Sequence, residues 1–259
     1  SDVCSSDLSV WVATGDGDLL SIGGNHFIHA CRKNIDLKIL LFNNRIYGLT
    51  KGQYSPTSEK GKVTKTSPFG SVDYPFNPVA LGIGSDATFV ARSIDRDPKH
   101  LQVMIKRAAE HKGLAFIEIL QNCVIYNDGA FDAVSDKQTR DDNTIMLEHG
   151  KPLVFGKNRD KGIKLDGMKP VIVDISNGKY SINDLLVHNE FEDLRDAVPA
   201  GILGGPAGHQ QERARHRPDH GQPHHGHQHG GQQDLQASQP RGQHLGLGRR
   251  GAAPASPSE

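Results

Sequence analysis

Short runs of apolar residues alternate with amphipathic stretches through the first half of the chain. Residues 8–14, 37–42, 87–94 and 114–120 are apolar runs of strand length, each ended by polar residues. Such runs are typical of strands that are buried on both faces. The sequence therefore predicts four buried strands, the first of which stops at a tight loop over residues 15–18.

Helix signals lie between the predicted strands. Residues 23–34 carry apolar side chains at helical spacing, and Asn77-Pro78 and Asp97-Pro98 each place a capping side chain before a proline. Gly113 is a stop signal for the last of these helices. Residues 45–76, in contrast, are a long polar loop, and a loop of that length inside a compact domain is typical of a functional segment.

Strands that alternate with helices predict an α/β fold. Because each strand is almost wholly apolar, we expect a doubly wound, mostly parallel sheet with helices on both faces. In such folds the ligand binds outside the carboxyl ends of the strands. Three polar segments follow predicted strands, at residues 15–18, 43–44 and 121–123. The functional site is therefore expected at this edge of the sheet.

The pattern weakens after the predicted sheet. We treat residues 8–134 as the main domain and residues 135–195 as a segment that packs on this core or on a partner subunit. Within the segment, residues 152–155 and 170–173 predict the two arms of a hairpin, and residues 180–187 predict a short helix.

Composition changes sharply near the end of the chain. Beyond about residue 196 the sequence is dominated by Gly, His, Gln, Pro and Arg and has no apolar periodicity. This composition predicts disorder, and its abrupt onset is typical of a gene read out of frame. We expect residues 196–259, like the short start at residues 1–7, to be artefactual, and we exclude both from the fold prediction.

Charge and cysteine content narrow the function classes. The 30 basic and 30 acidic residues balance, which gives no indication of a nucleic-acid or anionic-membrane partner. No apolar run reaches the roughly 18 to 20 residues that a membrane helix requires. Cys4, Cys31 and Cys123 are too few for a disulfide framework, so we expect a cytoplasmic protein in a reducing compartment.

Polar residues at the strand ends form a cation-binding pattern. Asp16 offers a carboxylate oxygen, Asn44 an amide oxygen and Ile46 a backbone carbonyl, and oxygens of these kinds bind magnesium. Gly15 and Gly17 allow the backbone to turn tightly and to approach a phosphate closely. The spacing therefore predicts a diphosphate held through a divalent cation.

Further motifs extend this pattern along the chain. They are Gly15-Asp-Gly-Asp18, Ile22-Gly-Gly-Asn-His26, Leu40-Leu-Phe-Asn-Asn44, Tyr47-Gly-Leu-Thr-Lys-Gly-Gln53, Ser55-Pro-Thr57, Phe116-Ile-Glu-Ile-Leu-Gln-Asn-Cys123 and Asn127-Asp-Gly-Ala-Phe131. Over about residues 8–195 the chain resembles the thiamine-diphosphate-binding β subunit of 2-oxoacid:ferredoxin oxidoreductases, and within that family mostly the 2-oxoglutarate branch. The resemblance implies that residues 8–134 are a thiamine-diphosphate-binding domain that lacks its N-terminal part.

The resemblance also implies roles for individual residues. Asp16, Asn44 and the Ile46 carbonyl would bind Mg²⁺. Cys123 is similar to one ligand of the family's [4Fe–4S] cluster, which takes four thiolates, and the other ligands are expected upstream of the first strand. Cys31 is expected to pack in the core instead. The residues expected to contact thiamine diphosphate are Gly15, Asp16, Gly17, Asp18, Asn44, Ile46, Gly48 and Leu49.

Two sets of loop residues are candidates for substrate and partner contacts. Thr50 and Lys51 follow the predicted metal ligands, and a cation there suits the distal carboxylate of a dicarboxylic 2-oxoacid. A solvated lysine is the alternative for Lys51. Lys60, Lys62 and Lys65 are expected to form a solvated loop face, with a docking surface for acidic ferredoxin as the alternative.

The implied reaction is oxidative decarboxylation of a 2-oxoacid, most closely 2-oxoglutarate, to an acyl-CoA. Electrons would pass through the iron–sulfur cluster to ferredoxin, so the expected partners are the 2-oxoacid, coenzyme A, ferredoxin and an α subunit. The glutamate that activates the cofactor is expected on the α subunit. Glu118 lies in a predicted buried strand and is not assigned that role. We expect this chain to be inactive by itself.

Three alternative functions remain open at the level of sequence. One is the pyruvate or branched-chain branch of the same family. Another is a different thiamine-diphosphate enzyme, of the decarboxylase or transketolase type, against which Cys123 and the motif at residues 47–53 argue. The third is an inactive fragment that serves only as a subunit-binding module.

Overall fold

The computed structural model describes residues 8–191 and 212–214, all of which lie in one compact unit, residues 1–218. The predictions for residues 1–7 and for nearly all of the tail therefore lie outside the described residues. Within that tail, the three residues of strand β8 (Glu212–Ala214) pair with another strand.

The main sheet confirms the predicted parallel architecture. Its four predicted strands are β1 (Trp11–Gly15), β2 (Lys38–Asn43), β3 (Phe89–Ile94) and β4 (Ala115–Leu120). They run parallel in the order β1-β2-β4-β3, and β8 adds an antiparallel edge next to β3. Because all four parallel strands end on the same side, the segments that follow them share one edge of the sheet.

Helices connect these strands close to the predicted positions. Asn77 and Asp97 cap their helices as expected, since each side chain accepts a hydrogen bond from a backbone N–H three residues later, at 3.1 Å in both cases. Asn34 ends the second helix in the left-handed conformation. The helices are α1 (Asp16–Leu20), α2 (Gly24–Lys33), α3 (Pro78–Gly84), α4 (Pro98–Glu110), α5 (Asp132–Ser135) and α6 (Arg140–Asn143).

Apolar side chains pack on both faces of the sheet, as the doubly wound prediction requires. On one face α2 and α3 cover a cluster in which the rings of Phe27 and Phe116 lie 4.8 Å apart. On the other face Met104 and Ala108 of α4 pack against Phe89 and neighbouring residues. Each large side chain buried in this way contributes about 1.5–3 kcal/mol.

Two predictions about the first strand are wrong. Residues 8–13 are exposed, and Trp11 keeps 37% of its surface accessible, because β1 lies at the edge of the sheet with β2 as its one neighbour among the described strands. The expected tight loop over residues 15–18 is also absent. Helix α1 begins directly at Asp16, which places Asp16 and Asp18 in the first turn, where the helix dipole favours negative charge.

The segment after residue 150 forms a second sheet, whose pairing differs from the prediction. The two predicted arms correspond to β5 (Val154–Phe155) and β7 (Lys169–Asp174), but each pairs with an intervening strand, β6 (Lys161–Asp166). Strand β6 was missed because its sequence, Lys-Gly-Ile-Lys-Leu-Asp, is half polar. The short helix predicted over residues 180–187 is a single 3-10 turn, Ile182–Asp184.

Two observations complete the description of the fold. An ion pair between Glu190 and Arg107, with an O···N distance of 2.9 Å, joins the end of this segment to α4. Across the described part of the chain, no helix combines the length and the apolar character that a membrane span requires.

Candidate functional site

Parallel pairing of β1 and β2 brings the first predicted ligands together. Gly15 pairs with Phe42, so the residues that follow each strand emerge side by side. The carboxylate of Asp16 is buried, with 2% of the residue exposed, and accepts a hydrogen bond from the backbone of Asn44. Asp16 and Asn44 therefore lie at the same edge, which is the arrangement that a shared cation requires.

Two hydroxyl groups contact the Asp16 carboxylate. Thr57 Oγ1 lies 2.6 Å from Asp16 Oδ2, and the Ser55 hydroxyl donates to the same oxygen. Burial raises the pKa of Asp16, and these hydroxyls, with the backbone hydrogen bonds, partly offset that rise. Both hydroxyls lie on Oδ2, and among the described side chains none donates to Oδ1.

A buried polar chain continues from Thr57 across the sheet. Thr57 Oγ1 lies 2.9 Å from Asn43 Oδ1, Asn43 Nδ2 donates to Glu118 Oε1 at 2.7 Å, and Glu118 Oε2 pairs with Arg92 Nε at 2.7 Å. We call these four residues and Asp16 the buried polar chain. It connects the ends of β1 and β2 with the interiors of β4 and β3.

Strand register explains why this chain forms. Glu118 in β4 lies directly beside Arg92 in β3, so the two side chains meet on one face of the sheet. Glu118 is only 1% exposed, and a carboxylate so deeply buried is stable only when it is paired and hydrogen-bonded. Arg92 and Asn43 supply those interactions. A pocket of about 470 Å³ borders the chain at Asn43, Thr57 and Glu118.

Residues 44–46 supply two further oxygens. Asn44 Oδ1 accepts a hydrogen bond from the Ile46 N–H at 3.2 Å, which holds the amide in place. The carbonyls of Asn44 and Arg45 accept from Asn127 Nδ2, at 2.9 Å for Asn44, whereas no described group donates to the Ile46 carbonyl. Asp16 Oδ1, Asn44 Oδ1 and the Ile46 carbonyl thus fit the oxygen donor set of a hard divalent cation.

Gly17 is required by a close approach of Tyr47. The Tyr47 hydroxyl donates to the Gly17 carbonyl at 3.2 Å, and a Cβ atom on Gly17 would lie 2.0 Å from the tyrosine ring. The loop then passes close to the last predicted site residue, because a Cβ on Gly48 would lie 4.0 Å from Cys123 Sγ. The motifs that contain Gly17, Tyr47 and Cys123 therefore meet at one edge of the sheet.

Several predicted site residues lie outside this buried cluster. Asp18, Thr50 and Lys51 are exposed, and 99% of Leu49 is accessible in this chain. Gly15 is half-buried at the end of β1. The structure therefore unites Asp16, Gly17, Asn44 and Ile46 and leaves the other predicted cofactor contacts at the rim.

The described cysteines do not complete an iron–sulfur site. Cys31 is wholly buried in α2, and burial raises the pKa of its thiol to about 12, as expected for a core cysteine. Cys123 is partly accessible. Among residues 8–191 no group of three or more His, Cys, Asp or Glu side chains is arranged to bind a metal, so a four-thiolate cluster does not fit the described residues alone.

Sequence reasoning missed most of the buried polar chain. Asn43 and Thr57 were recognised only as parts of motifs, and Arg92 was read simply as part of a strand. Their shared signal is a polar side chain inside an otherwise apolar strand or motif, which is costly unless it is hydrogen-bonded. Lys62 was also misread as solvated, since its ammonium group donates to Asn127.

Comparisons with known proteins show what the chain resembles. Residues 3–119 match the family model described as "Thiamine pyrophosphate enzyme, C-terminal TPP binding domain". The chain is 54% identical over 183 residues to 2-oxoglutarate oxidoreductase subunit KorB of Mycobacterium tuberculosis, which covers 71% of this chain and 48% of that protein. It is 52% identical over 122 residues to the 2-oxoacid:ferredoxin oxidoreductase subunit beta of a Sulfolobus species, covering 47% and 40% of the two chains.

A solved 2-oxoglutarate:ferredoxin oxidoreductase from Magnetococcus marinus aligns with a TM-score of 0.49 and 40% identity, over 54% of this chain and 46% of that one. The chain spans less than half of the length of the two curated relatives. Over the matched residues, the chain is similar to thiamine-diphosphate-binding β subunits of 2-oxoacid:ferredoxin oxidoreductases.

Proposed function

We propose that this chain is the thiamine-diphosphate-binding part of a 2-oxoglutarate:ferredoxin oxidoreductase. The whole enzyme would convert 2-oxoglutarate and coenzyme A into a succinyl thioester and CO2, and would pass the electrons to ferredoxin. The observation that carries the proposal is the meeting of the Asp16 carboxylate and Asn44 at one sheet edge, in a chain 54% identical to a 2-oxoglutarate oxidoreductase subunit.

Mg²⁺ is the cation that we assign to Asp16, Asn44 and the Ile46 carbonyl. Asp16 supplies the one negative charge of the set, and the hydroxyls of Thr57 and Ser55 fix its orientation. The glycine at position 17 lets the backbone approach the diphosphate closely. When bound, thiamine diphosphate supplies the carbon nucleophile and the electron sink for decarboxylation.

The residues of this chain bind and orient the cofactor rather than transfer its protons. Among the described residues Glu118 is the one buried glutamate, and Arg92 and Asn43 each bind one of its two oxygens. It therefore has no free oxygen to serve as the acid that activates the cofactor. We propose that this acid comes from the α subunit, so that the complete active site forms between the two subunits.

As part of the same proposal, we assign Lys51 to substrate binding and Cys123 to an iron–sulfur cluster. Lys51 is exposed on the loop that follows the metal ligands, where its ammonium group suits the distal carboxylate of 2-oxoglutarate. Thr50, its neighbour, is assigned to the same substrate contact. Cys123 is assigned as one ligand of a [4Fe–4S] cluster whose remaining thiolates lie outside the described residues.

Activity of the reconstituted complex tests the proposal directly. The full-length β subunit, co-expressed with its α subunit, should reduce ferredoxin when 2-oxoglutarate and coenzyme A are both present, and more slowly with pyruvate or a branched-chain 2-oxoacid. The β subunit alone should be inactive. An Asp16→Asn complex is the control, because it should assemble normally and lose thiamine diphosphate.

The alternatives give different results in the same assay. Faster turnover of pyruvate would assign the chain to another branch of the family. Release of an aldehyde without coenzyme A or an electron acceptor would indicate a decarboxylase. A complex that assembles and binds no thiamine diphosphate would indicate a subunit-binding module and would contradict the proposed function.

A further inference from the structure

Three short loops of the β subunit converge on one pocket. Isolated antiparallel bridges close them at Tyr47–Gln53, Thr64–Ser67 and Cys123–Asn127. The pocket between them has a volume of about 460 Å³. We call it the lysine pocket, after three residues that line it: Lys51, Lys62 and Lys65.

The lysine pocket is strongly cationic. Its other lining residues, among them Ile46, Thr64 and Tyr126, include no acidic side chain. None of the ion pairs found among the described residues involves Lys51, Lys62 or Lys65. Three lysines that line one concave site without an acidic side chain create a positive potential that attracts a multiply charged anion.

Backbone and side-chain contacts hold two of the lysines in place. Lys51 adopts a left-handed backbone with φ of 77°, which is unfavourable for a residue other than glycine and is fixed by the turn between Tyr47 and Gln53. The Lys62 ammonium group donates to Asn127 Oδ1, and the amide of the same buried asparagine donates to the Asn44 carbonyl. Asn127 therefore links a lysine of the pocket to the loop that carries the proposed metal ligands.

We propose that the lysine pocket binds the phosphate groups of coenzyme A through Lys62 and Lys65, an inference that rests on the proposed function. Ile46, whose carbonyl is a proposed metal ligand, also lines the pocket, so an acyl acceptor anchored there lies beside the reacting centre. The exposed ring of Tyr126 offers a stacking surface for the adenine. Lys51 remains assigned to the carboxylate of the 2-oxoacid.

Kinetics of the αβ complex with two acyl acceptors test this assignment. Lys62→Met and Lys65→Met should each raise the KM for coenzyme A about tenfold, because each removes one charge-assisted contact, and the double variant should raise it about 100-fold. Turnover with pantetheine, which lacks the phosphates, should not change. The KM for 2-oxoglutarate should also stay constant.

Lys60→Met is the matched control. Lys60 lies in the same loop and loses the same charge, but its ammonium group lies over the Tyr74 ring, 4.1 Å from its centre, and does not line the lysine pocket. Its complex should behave as the unmodified one with both acceptors. An unchanged KM for coenzyme A in the double variant, or an equal loss with pantetheine, would overturn the assignment. A raised KM for ferredoxin alone would show a docking surface instead.

A binding measurement separates this inference from the proposed function. Inorganic pyrophosphate should bind the β subunit without added Mg²⁺, as measured by calorimetry, and the double variant should not bind it. If the complex has no oxidoreductase activity but pyrophosphate binds in this lysine-dependent way, the proposed function fails while the phosphate site stands. If the active complex shows no such binding, the phosphate site fails.

Discussion

The buried polar chain and the lysine pocket are separated by only a few residues of sequence, since Asn43 belongs to the first and Ile46 lines the second. In the buried chain, each polar side chain has a partner at hydrogen-bond distance within the protein. In the pocket, three cations face a concavity without a counter-charge. A charge that is buried must be satisfied by the fold itself, whereas a charge at a rim is available to a ligand.

This difference predicts which region controls stability and which controls binding. Changes at Arg92 and Thr57 should lower the free energy of unfolding, whereas a change at Asp16 should lower the affinity for the cofactor. Changes in the lysine pocket should leave the free energy of unfolding almost unaltered. Four predictions, from the largest expected effect to the smallest, test this contrast.

Arg92→Met should have the largest effect on stability. It leaves the Glu118 carboxylate buried without its cation, which costs about 3–5 kcal/mol of unfolding free energy. Urea denaturation of the purified β subunit measures the loss. Lys65→Met, in the pocket, should shift it by less than about 0.5 kcal/mol. A second change, Glu118→Gln, should recover much of the stability lost in the Arg92 variant. Equal losses in the Arg92 and Lys65 variants would contradict the difference between the buried polar chain and the lysine pocket.

Asp16→Asn should separate binding from stability. The affinity for thiamine diphosphate in the presence of Mg²⁺ should fall on the order of 100-fold or more, because even outer-shell changes cost roughly 10- to 100-fold. Stability without the cofactor should rise, because burial raises the pKa of Asp16 and so disfavours its charged form in the folded protein. Calorimetric titration and urea denaturation measure the two quantities. A variant that keeps full affinity would contradict the metal assignment.

Thr57→Val should have a smaller effect on both quantities. It removes the hydroxyl that lies between Asp16 and Asn43, which costs about 1–2 kcal/mol of stability and about tenfold in cofactor affinity. Thr64→Val is the matched change in the lysine pocket and should cost less than about 0.5 kcal/mol. Equal losses of stability in the Thr57 and Thr64 variants would show that burial of the Thr57 hydroxyl does not cause the loss.

His100, in α4, provides a pH test outside both regions. Burial lowers the pKa of His100 below its usual 6.5, against the opposing charge of Asp97, and Ser93 Oγ lies 2.8 Å from its Nδ1. Because the unfolded chain then binds the proton more readily, the contribution of neutral His100 to the free energy of unfolding is present above pH 6.5. This contribution is lost as the pH falls below 6.5. Denaturation midpoints measured between pH 7.5 and 5.5 should show this loss. His100→Gln should abolish the pH dependence and leave the contrast between the buried polar chain and the lysine pocket unchanged.

The order of strands and helices could be predicted because each depends on local patterns. The apolar blocks at β2, β3 and β4, and the Asn77 and Asp97 caps, were identified at nearly the right positions. The pairing of β5, β6 and β7 could not be predicted, because the half-polar β6 gives a weak signal and pairing depends on contacts between distant residues. The exposure of β1 was missed for a similar reason, since an apolar run does not indicate whether a strand has one neighbour or two.

The sequence by itself determined the resemblance to the family and the α/β fold, and it predicted the set Asp16, Asn44 and Ile46, because motif spacing and strand ends are local properties. Only the tertiary structure decided that Thr57, Asn43, Glu118 and Arg92 form one hydrogen-bonded chain. It alone also brought lysines from two loops around one pocket. The physical reason is that burial and charge compensation depend on which side chains the register and the loops place side by side.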